Sequence, residues 1–510
     1  MNIPSAYIPN ILSIPNTLVS NMSLKSRNVR VSSQNFEQKV IYLNVRPTIS
    51  SANLCPCCMQ KCSTYDHQSG IVSWRASNFN GVPVILNYSP ARIHCPEHGI
   101  IRELIPWADG SSRFTPDFNN EVAWMALQLS KTSVSQYFQI SWQTVGNCIN
   151  AAHHRLEPDI SQRLVGLRRI CVDETSYSKG HKYITVVYDM DRNRVVWVHK
   201  DHGFSVFEEF CLLLTEEQRA AITVVAGDGA RWIDSCTSLY FPNAARCIDP
   251  FHVVGWVNEA LDKVRMDAAH EAKSEYEKTE KSFVQSIDIS SSALEEAKQE
   301  YVRAVESLDV ERQEYLKVYI ETLEEFKDVD IKSISKRSRK WNRLLSILPD
   351  DKKEVLIKLK ELYKDLKNAR YAVGKNPENR TESQNDKLEI IQKSSPDLYA
   401  AYKFKEELRT IVHMKDPDGA ANEIDRLIDS GRATKIVHIV ELSDKLLRHK
   451  PNLVNTIKYQ ANSAKSESCN AQIKGVIARA KGFRNLNNLK SMVYLKCSDI
   501  TVPLNNRPFR

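Results

Sequence analysis

Between Gly255 and Pro349 the chain runs for 93 residues without a glycine or a proline. Those residues are the strongest helix breakers, and the stretch between them is rich in Glu, Lys, Ala and Leu, so it is expected to fold as long helices. From Arg265 to Asp330 there are 18 acidic and nine basic residues, a surface that is solvated or meets protein rather than polyanion. The segment lacks the clean heptad of a coiled coil. Helices continue through 350–460, interrupted by turns at Lys375-Asn-Pro-Glu-Asn379 and Ser394-Ser-Pro-Asp397. A helical block of this size leaves any sheet to the rest of the chain.

Residues 166–250 supply that sheet. Strands are expected at 167–173, 182–190, 194–200, 221–228 and 244–249, with helices at 205–218 and 230–239. Three strands in series suggest an antiparallel meander; strands separated by helices suggest a parallel extension. That mixed order is the ribonuclease-H-like pattern. Asp173 lies in the first apolar run (Arg-Ile-Cys-Val-Asp-Glu) and Asp228 ends another (Ile-Thr-Val-Val-Ala-Gly-Asp). A carboxylate at the end of a buried strand is costly unless it is paired or binds a metal. Glu174 adjoins Asp173, but successive strand residues point to opposite faces, so only Asp173 is expected in a site.

The N-terminal part carries a different chemistry. Residues 1–50 are polar, with one expected strand from Gln38 to Val45. Cys55 and Cys58 form a Cys-x-x-Cys knuckle, and thirty-six residues separate Cys58 from Cys95-Pro-Glu-His98. Two knuckles with ligands three apart can turn four side chains toward one ion, and thiolate with imidazole suits tetrahedral zinc. Cys57 or Cys62 can stand in for one ligand, so the set is open by a residue. Buried free thiols beside an incidental histidine are the alternative. A structural zinc would stabilise a module too small to fold on its own core.

Ser130 to Ile149 reads as a helix, a turn near Gln139-Ile140, and a second helix capped by Ser141. Val145 and Ile149, four apart, face inward. Trp142, Gln143, Thr144 and Asn147 then face outward at the start of the second helix, where a recognition helix presents side chains to base edges. An ordinary helical hairpin has the same outline.

Glu467 opens a polar-capped helix continuing through Lys474 and Arg479, followed by Lys481, Gly482 and Arg484. From Lys474 to Arg510 there are eight basic residues and one acidic, Asp499, although the formal net charge of the whole chain is only +8. A cationic end beside an acidic middle suggests one polyanion-binding face. No apolar run reaches the roughly 20 residues that span a bilayer. The first 22 residues lack Lys and Arg and hold prolines at 4, 9 and 15, unlike a secretory signal. With no export signal, the 12 cysteines are expected as thiols and metal ligands rather than disulfides, in a cytoplasmic protein.

Asp173-Glu-Thr-Ser-Tyr177 with Lys182-Tyr-Ile-Thr-Val-Val-Tyr-Asp189, Asp249-Pro-Phe-His252 with Asn258 and Arg265, Lys375-Asn-Pro-Glu-Asn379, and Gly482-Phe-Arg484-Asn485 resemble the bacterial insertion-sequence transposases of the ISL-three type. The resemblance covers roughly 50–265 and 365–495. It implies a DDE enzyme with Asp173, Asp228 and Glu467 as catalytic acids holding Mg²⁺ (or Mn²⁺). The expected chemistry is two-metal: water frees a 3′-hydroxyl at an element end, and that hydroxyl attacks a target phosphodiester. Two departures stand out: 270–345 looks like additional sequence, and the second zinc knuckle ends in His98 where a cysteine is more usual.

The expected fold is therefore α/β plus α. A ribonuclease-H-like mixed-sheet core is split by a large all-helical insertion and preceded by a zinc-ribbon-like module and a helix-turn-helix. Expected segments are an arm at 1–50, the zinc module at 51–108, the helix-turn-helix at 112–158, core at 165–252, helical insertion at 253–460, and a final core helix with basic end at 461–510. Asp249 and His252 either take part in the site or anchor the insertion. Double-stranded DNA is the expected partner, with at least a dimer on DNA and no membrane. An inactive DNA-binding regulator and a nuclease that cuts without joining are the alternatives.

Overall fold

The computed structural model describes residues 7–31, 34–67, 70–110, 112–178, 180, 182–327, 329–336, 338–461, 464–480, 482–483 and 485–504, with the backbone alone at 29–31, 34–36 and 464–467. The chain forms two compact units, one from residues 1–247 with 462–510 and one from 248–461.

The first unit opens with a short helix, α1 (Ile8–Ile11), and a long antiparallel hairpin, β1 (Thr17–Val31) and β2 (Gln34–Pro47). Then follow β3 (Ser63–His67), β4 (Val72–Phe79), β5 (Val82–Tyr88), β6 (Ala91–Cys95) and β7 (Gly99–Arg102). One sheet has the order β1-β2-β5-β4 and a second β3-β6-β7. Behind the larger sheet Trp107 is fully buried, edge-on to Trp74 and Tyr88 at 6.0 and 5.4 Å between ring centres. The sequence suggests β2 and misses β1. Its apolar residues Leu18, Met22 and Leu24 alternate with polar ones but stay exposed, so the cue of a buried face is weak.

Three helices follow: α2 (Pro116–Gln128), α3 (Lys131–Phe138) and α4 (Trp142–Leu156). Gln139 turns the chain in the left-handed region (φ 55°), and the Ser141 hydroxyl accepts from Thr144 N–H at 3.1 Å, capping α4. Val145 and Ile149 are buried as expected.

A five-stranded sheet has the order β10-β9-β8-β11-β12. Its strands are β8 (Arg169–Ser178), β9 (Lys182–Asp189), β10 (Arg194–Lys200), β11 (Val224–Gly227) and β12 (Ala245–Ile248). β8, β9 and β10 form an antiparallel meander, and β11 pairs with β8 in parallel. The expected helix 205–218 is two helices, α5 (Phe204–Leu213) and α6 (Glu216–Ala221). The break has a local cause: Thr215 and Gln218 form a capping box, which starts a new helix. α7 (Arg231–Tyr240) joins β11 to β12. Phe207, Phe210, Val172, Val187 and Ile233 fill the core on one face.

The second unit is all-helical: α8 (Pro250–Gln285), α9 (Ser291–Glu306), α10 (Val310–Phe326), α11 (Arg339–Ser346), α12 (Asp350–Lys367), α13 (Arg370–Gly374), α14 (Glu382–Ser394), α15 (Pro396–Val412), α16 (Pro417–Ala433) and α17 (Val437–Tyr459). The main core joins α8, α12, α13 and α14–α17 through Leu261, Leu366, Leu408, Ile424 and Leu446. A satellite core gathers Val284, Phe326 and Trp341, whose indole N–H donates to Glu280 at 2.7 Å. Among the described residues no helix is long and apolar enough to cross a membrane.

The chain returns to the first unit with α18 (Ala464–Arg479) and α19 (Leu486–Lys496). α19 lies along β10: Val198 N–H donates to the Tyr494 hydroxyl at 3.1 Å, and Val195 N–H to the Cys497 carbonyl at 2.9 Å.

Candidate active site

Parallel pairing of β11 with β8 sets Gly227 opposite Val172. The next residue on each strand is an aspartate, so Asp228 and Asp173 leave adjacent strands at the same level. Parallel strands sit about 4.8 Å apart. Gly227 is required by this approach: a Cβ there would lie 2.8 Å from the Val172 carbonyl oxygen and 2.9 Å from Ile233 Cδ1. Asp228 Oδ1 accepts from Ala230 N–H at 2.9 Å, and the half-buried turn leads into α7. The Arg246 guanidinium donates to the Asp228 carbonyl oxygen and pairs with Asp234 at 2.8 Å.

Asp173 is gripped from two sides. Its Oδ1 accepts from Glu174 N–H at 2.7 Å, and its Oδ2 accepts from the Asn470 side-chain amide of α18. The Asn470 Oδ1 in turn accepts from the Tyr188 hydroxyl at 2.8 Å and the Thr175 hydroxyl at 3.2 Å. Asp173 and Thr175 share a strand face, as alternation requires, and both reach Asn470. Glu174 points its carboxylate at His202 instead, 3.4 Å away. Burial pushes the Glu174 carboxyl up; His202 opposes this, and Asp228 and Asp173 add to it. Glu174 therefore feels the field of the aspartates although its side chain has another partner.

Glu467 lies on α18, one turn before Asn470; its side chain is outside the described residues, and so are Lys481 and Arg484 entirely. Residues three apart on a helix share a face. Lys474 and Arg479 are exposed on the same helix. Sequence reasoning missed Asn470, Thr175 and Tyr188. The Glu467-x-x-Asn470 spacing was the available signal, but the Asn470 contact spans 297 positions and no local pattern reports it. Carboxylate oxygens are the donors that hard divalent cations take, so the acids on this surface fit such ions chemically.

Asp249 and His252 belong to the helical unit. Asp249 caps α8, its Oδ1 accepting from Phe251 N–H at 2.9 Å, with His252 Nε2 3.9 Å from its Oδ2. This caps the first turn of a 36-residue helix.

The four expected zinc ligands converge. One donor atom each from Cys55, Cys58, Cys95 and His98 lie within 4.8 Å of one another. Cys58 Sγ is 3.6 Å from Cys95 Sγ, and His98 Nδ1 is 3.6 Å from Cys95 and 3.8 Å from Cys55. Tetrahedral Zn–S bonds near 2.3 Å put ligand atoms about 3.7 Å apart, so the cluster fits zinc. The His98 ring beside it pulls the Cys95 thiol down to about 6. Cys57 is exposed, and Cys62 bonds the Gln60 carbonyl at 3.4 Å.

On α4, Trp142, Gln143 and Asn147 are exposed. Thr144 is half-buried and its hydroxyl meets Ser141 Oγ at 2.8 Å, so it serves the cap as well as the surface. Lys131 is buried against this corner, its ammonium over the Trp142 and Phe483 rings at 4.4 and 5.4 Å.

The transposase model of the ISL3 DDE family matches residues 170–348 and 342–493. The first match runs through 270–345, the stretch the sequence set apart as additional. The helix-turn-helix domain of transposase family ISL3 matches 103–153, and the zinc-finger of transposases IS204/IS1001/IS1096/IS1165 matches 51–98. The chain is 31% identical over 455 residues to a transposase for insertion sequence element IS1557 of Mycobacterium tuberculosis, covering 89% of this chain and 88% of that one. It is 25% identical over 242 residues to a transposase for insertion sequence element IS1001 of Bordetella parapertussis, covering 46% and 58%. With its zinc-ribbon module, helix-turn-helix and DDE domain in this order, the chain belongs to the ISL3 family of transposases.

Proposed function

We propose that the protein binds the terminal inverted repeats of its own insertion sequence and catalyses Mg²⁺-dependent DNA cleavage and strand transfer. Asp173, Asp228 and Glu467 are the catalytic acids. They sit on a ribonuclease-H-like core formed by 165–252 and 461–510 and split by the helical insertion 253–460. The observation that carries this is the parallel β8–β11 pairing, which sets two aspartates side by side on strands separated by 45 residues of chain.

Two Mg²⁺ ions held by these acids would supply an activated attacking oxygen and a stabilised leaving oxygen. The chain's own part is positioning. The Glu174 N–H and the Asn470 amide orient the Asp173 carboxylate, the turn at Ala230 orients Asp228, and α18 brings Glu467 into the same chain unit. Lys474, Arg479, Lys481 and Arg484 would hold DNA phosphates; Trp142, Gln143, Thr144 and Asn147 would read an element end. The zinc module at 51–108, with the arm 1–50, would support the helix-turn-helix at 112–158. Joining two ends calls for at least a dimer on double-stranded DNA, in the cytoplasm at the nucleoid.

The test is a cleavage and joining assay on DNA carrying the element's own ends, comparing wild type with Asp228→Asn. Joined product from the wild type, lost in the variant while DNA binding persists, is the expected result. Cleavage without joining would make the protein a nuclease, and binding without chemistry a regulator.

A further inference from the structure

We propose that Asn470 is a positioning residue, an amide clamp that fixes the Asp173 carboxylate in the orientation a divalent cation requires. This rests on Asp173 being a metal-holding acid. The orientation of the amide follows from chemistry. An ionised carboxylate only accepts hydrogen bonds, so the end of Asn470 facing Asp173 must be its NH₂. The Asn470 carbonyl oxygen then faces two hydroxyls, Tyr188 at 2.8 Å and Thr175 at 3.2 Å, and both must donate to it. A flipped amide would set its oxygen against the carboxylate, so the two hydroxyls select the donating orientation.

Tyr188 and Thr175 are almost fully buried, on β9 and β8, so the selector is part of the sheet and not of the helix. The Glu174 N–H holds the other oxygen of the same carboxylate. With both oxygens pinned, the plane of the Asp173 carboxylate is set before any cation arrives. A carboxylate offers about four lone-pair sites, so two such bonds are compatible with metal binding. Partners of this kind, standing behind a metal ligand, typically change metal affinity or activity 10–100-fold when removed.

The clamp makes a prediction that a merely structural asparagine does not. The hydrogen-bonded route from Tyr188 to Asp173 runs through Asn470, so removing its hydroxyl is expected to matter chiefly while Asn470 is present. Mn²⁺ binding to the zinc-loaded full-length chain is measured without DNA, from the electron paramagnetic resonance signal of free Mn²⁺. Asp173→Asn identifies the component that belongs to this site. Asn470→Ala is expected to weaken that component about tenfold. Tyr188→Phe is expected to weaken it about threefold. The double variant should match Asn470→Ala alone, with all melting temperatures near wild type.

Wild-type Mn²⁺ affinity in Asn470→Ala, with binding lost in Asp173→Asn, would overturn the clamp and leave the acid site standing. Independent, multiplying effects of the two substitutions would overturn it as well. Wild-type Mn²⁺ binding in Asp173→Asn would instead remove the acid-site reading beneath it. If Asn470→Ala fails to fold, Tyr188→Phe decides: unchanged affinity there counts against the clamp.

Discussion

Gly227 is the residue on which the spacing of the two aspartates most directly depends. One methyl group at this position meets a backbone carbonyl of the neighbouring strand, which cannot move aside without shifting the strand. Gly227→Ala is therefore expected to cost about 1–3 kcal/mol in denaturant unfolding, the range for overpacking. It should depress DNA cleavage more than it depresses stability, because Asp228 is the next residue; a variant with wild-type cleavage would remove Gly227 from this role. Lys131 makes a second case at this scale. Burial pulls its ammonium down to about 8 from 10.5, while the Trp142 and Phe483 rings offer partial compensation. Below pH 8 the charge is present in both states and its burial cost is felt in full. Between pH 8 and 10.5 the folded chain sheds the proton first, so stability is regained as pH rises. Lys131→Met should be the more stable protein at pH 7, by about 1–3 kcal/mol, and its advantage should shrink toward pH 10. Melting curves of both proteins across that range check the sign.

At the scale of elements, the zinc module depends most on its ligands. Around Cys55, Ile93 and Cys95 the buried cluster is small, with Cys58, Cys62 and Ile101 packed against it. One zinc per chain is expected by elemental analysis. Chelation or Cys95→Ser should open residues 51–102 to protease while the helical unit stays resistant; a full-length chain that folds this module without zinc would count against the assignment. The ligands were legible in sequence because their spacing is local. The five strands β8–β12 were legible too, since each is an apolar run bounded by polar turns. The helix boundary at Thr215 was visible only as a capping box, a signal that the apolar run across 205–214 obscured. β1 was missed for the opposite reason: Leu18, Met22 and Leu24 remain exposed, so the cue of a buried face is weak. Asn470 escaped because its meaning lies in β8 and β9, and hydrogen bonds across nearly 300 residues leave no trace in spacing.

At the scale of the whole chain, the 93-residue gap in helix breakers led correctly to a helical block, and the structure adds that this block is a unit with its own core. Residues 248–461 alone, expressed without the flanking segments, should fold as a cooperative helical protein, seen as a single melting transition by circular dichroism. A broad, non-cooperative melt would show that its core is incomplete. That unit also sets an order in time. β8 ends at Ser178 and α18 begins at Ala464, so 285 residues must be synthesised between them. At roughly 5–20 residues per second a ribosome needs about 15–60 s for that stretch. Once Asp228 has followed, the nascent chain carries both aspartates and the helix-turn-helix but lacks the helix that grips Asp173. Chain order thus acts as a delay: the helix-turn-helix and both aspartates are made well before the helix that would complete the proposed acid site.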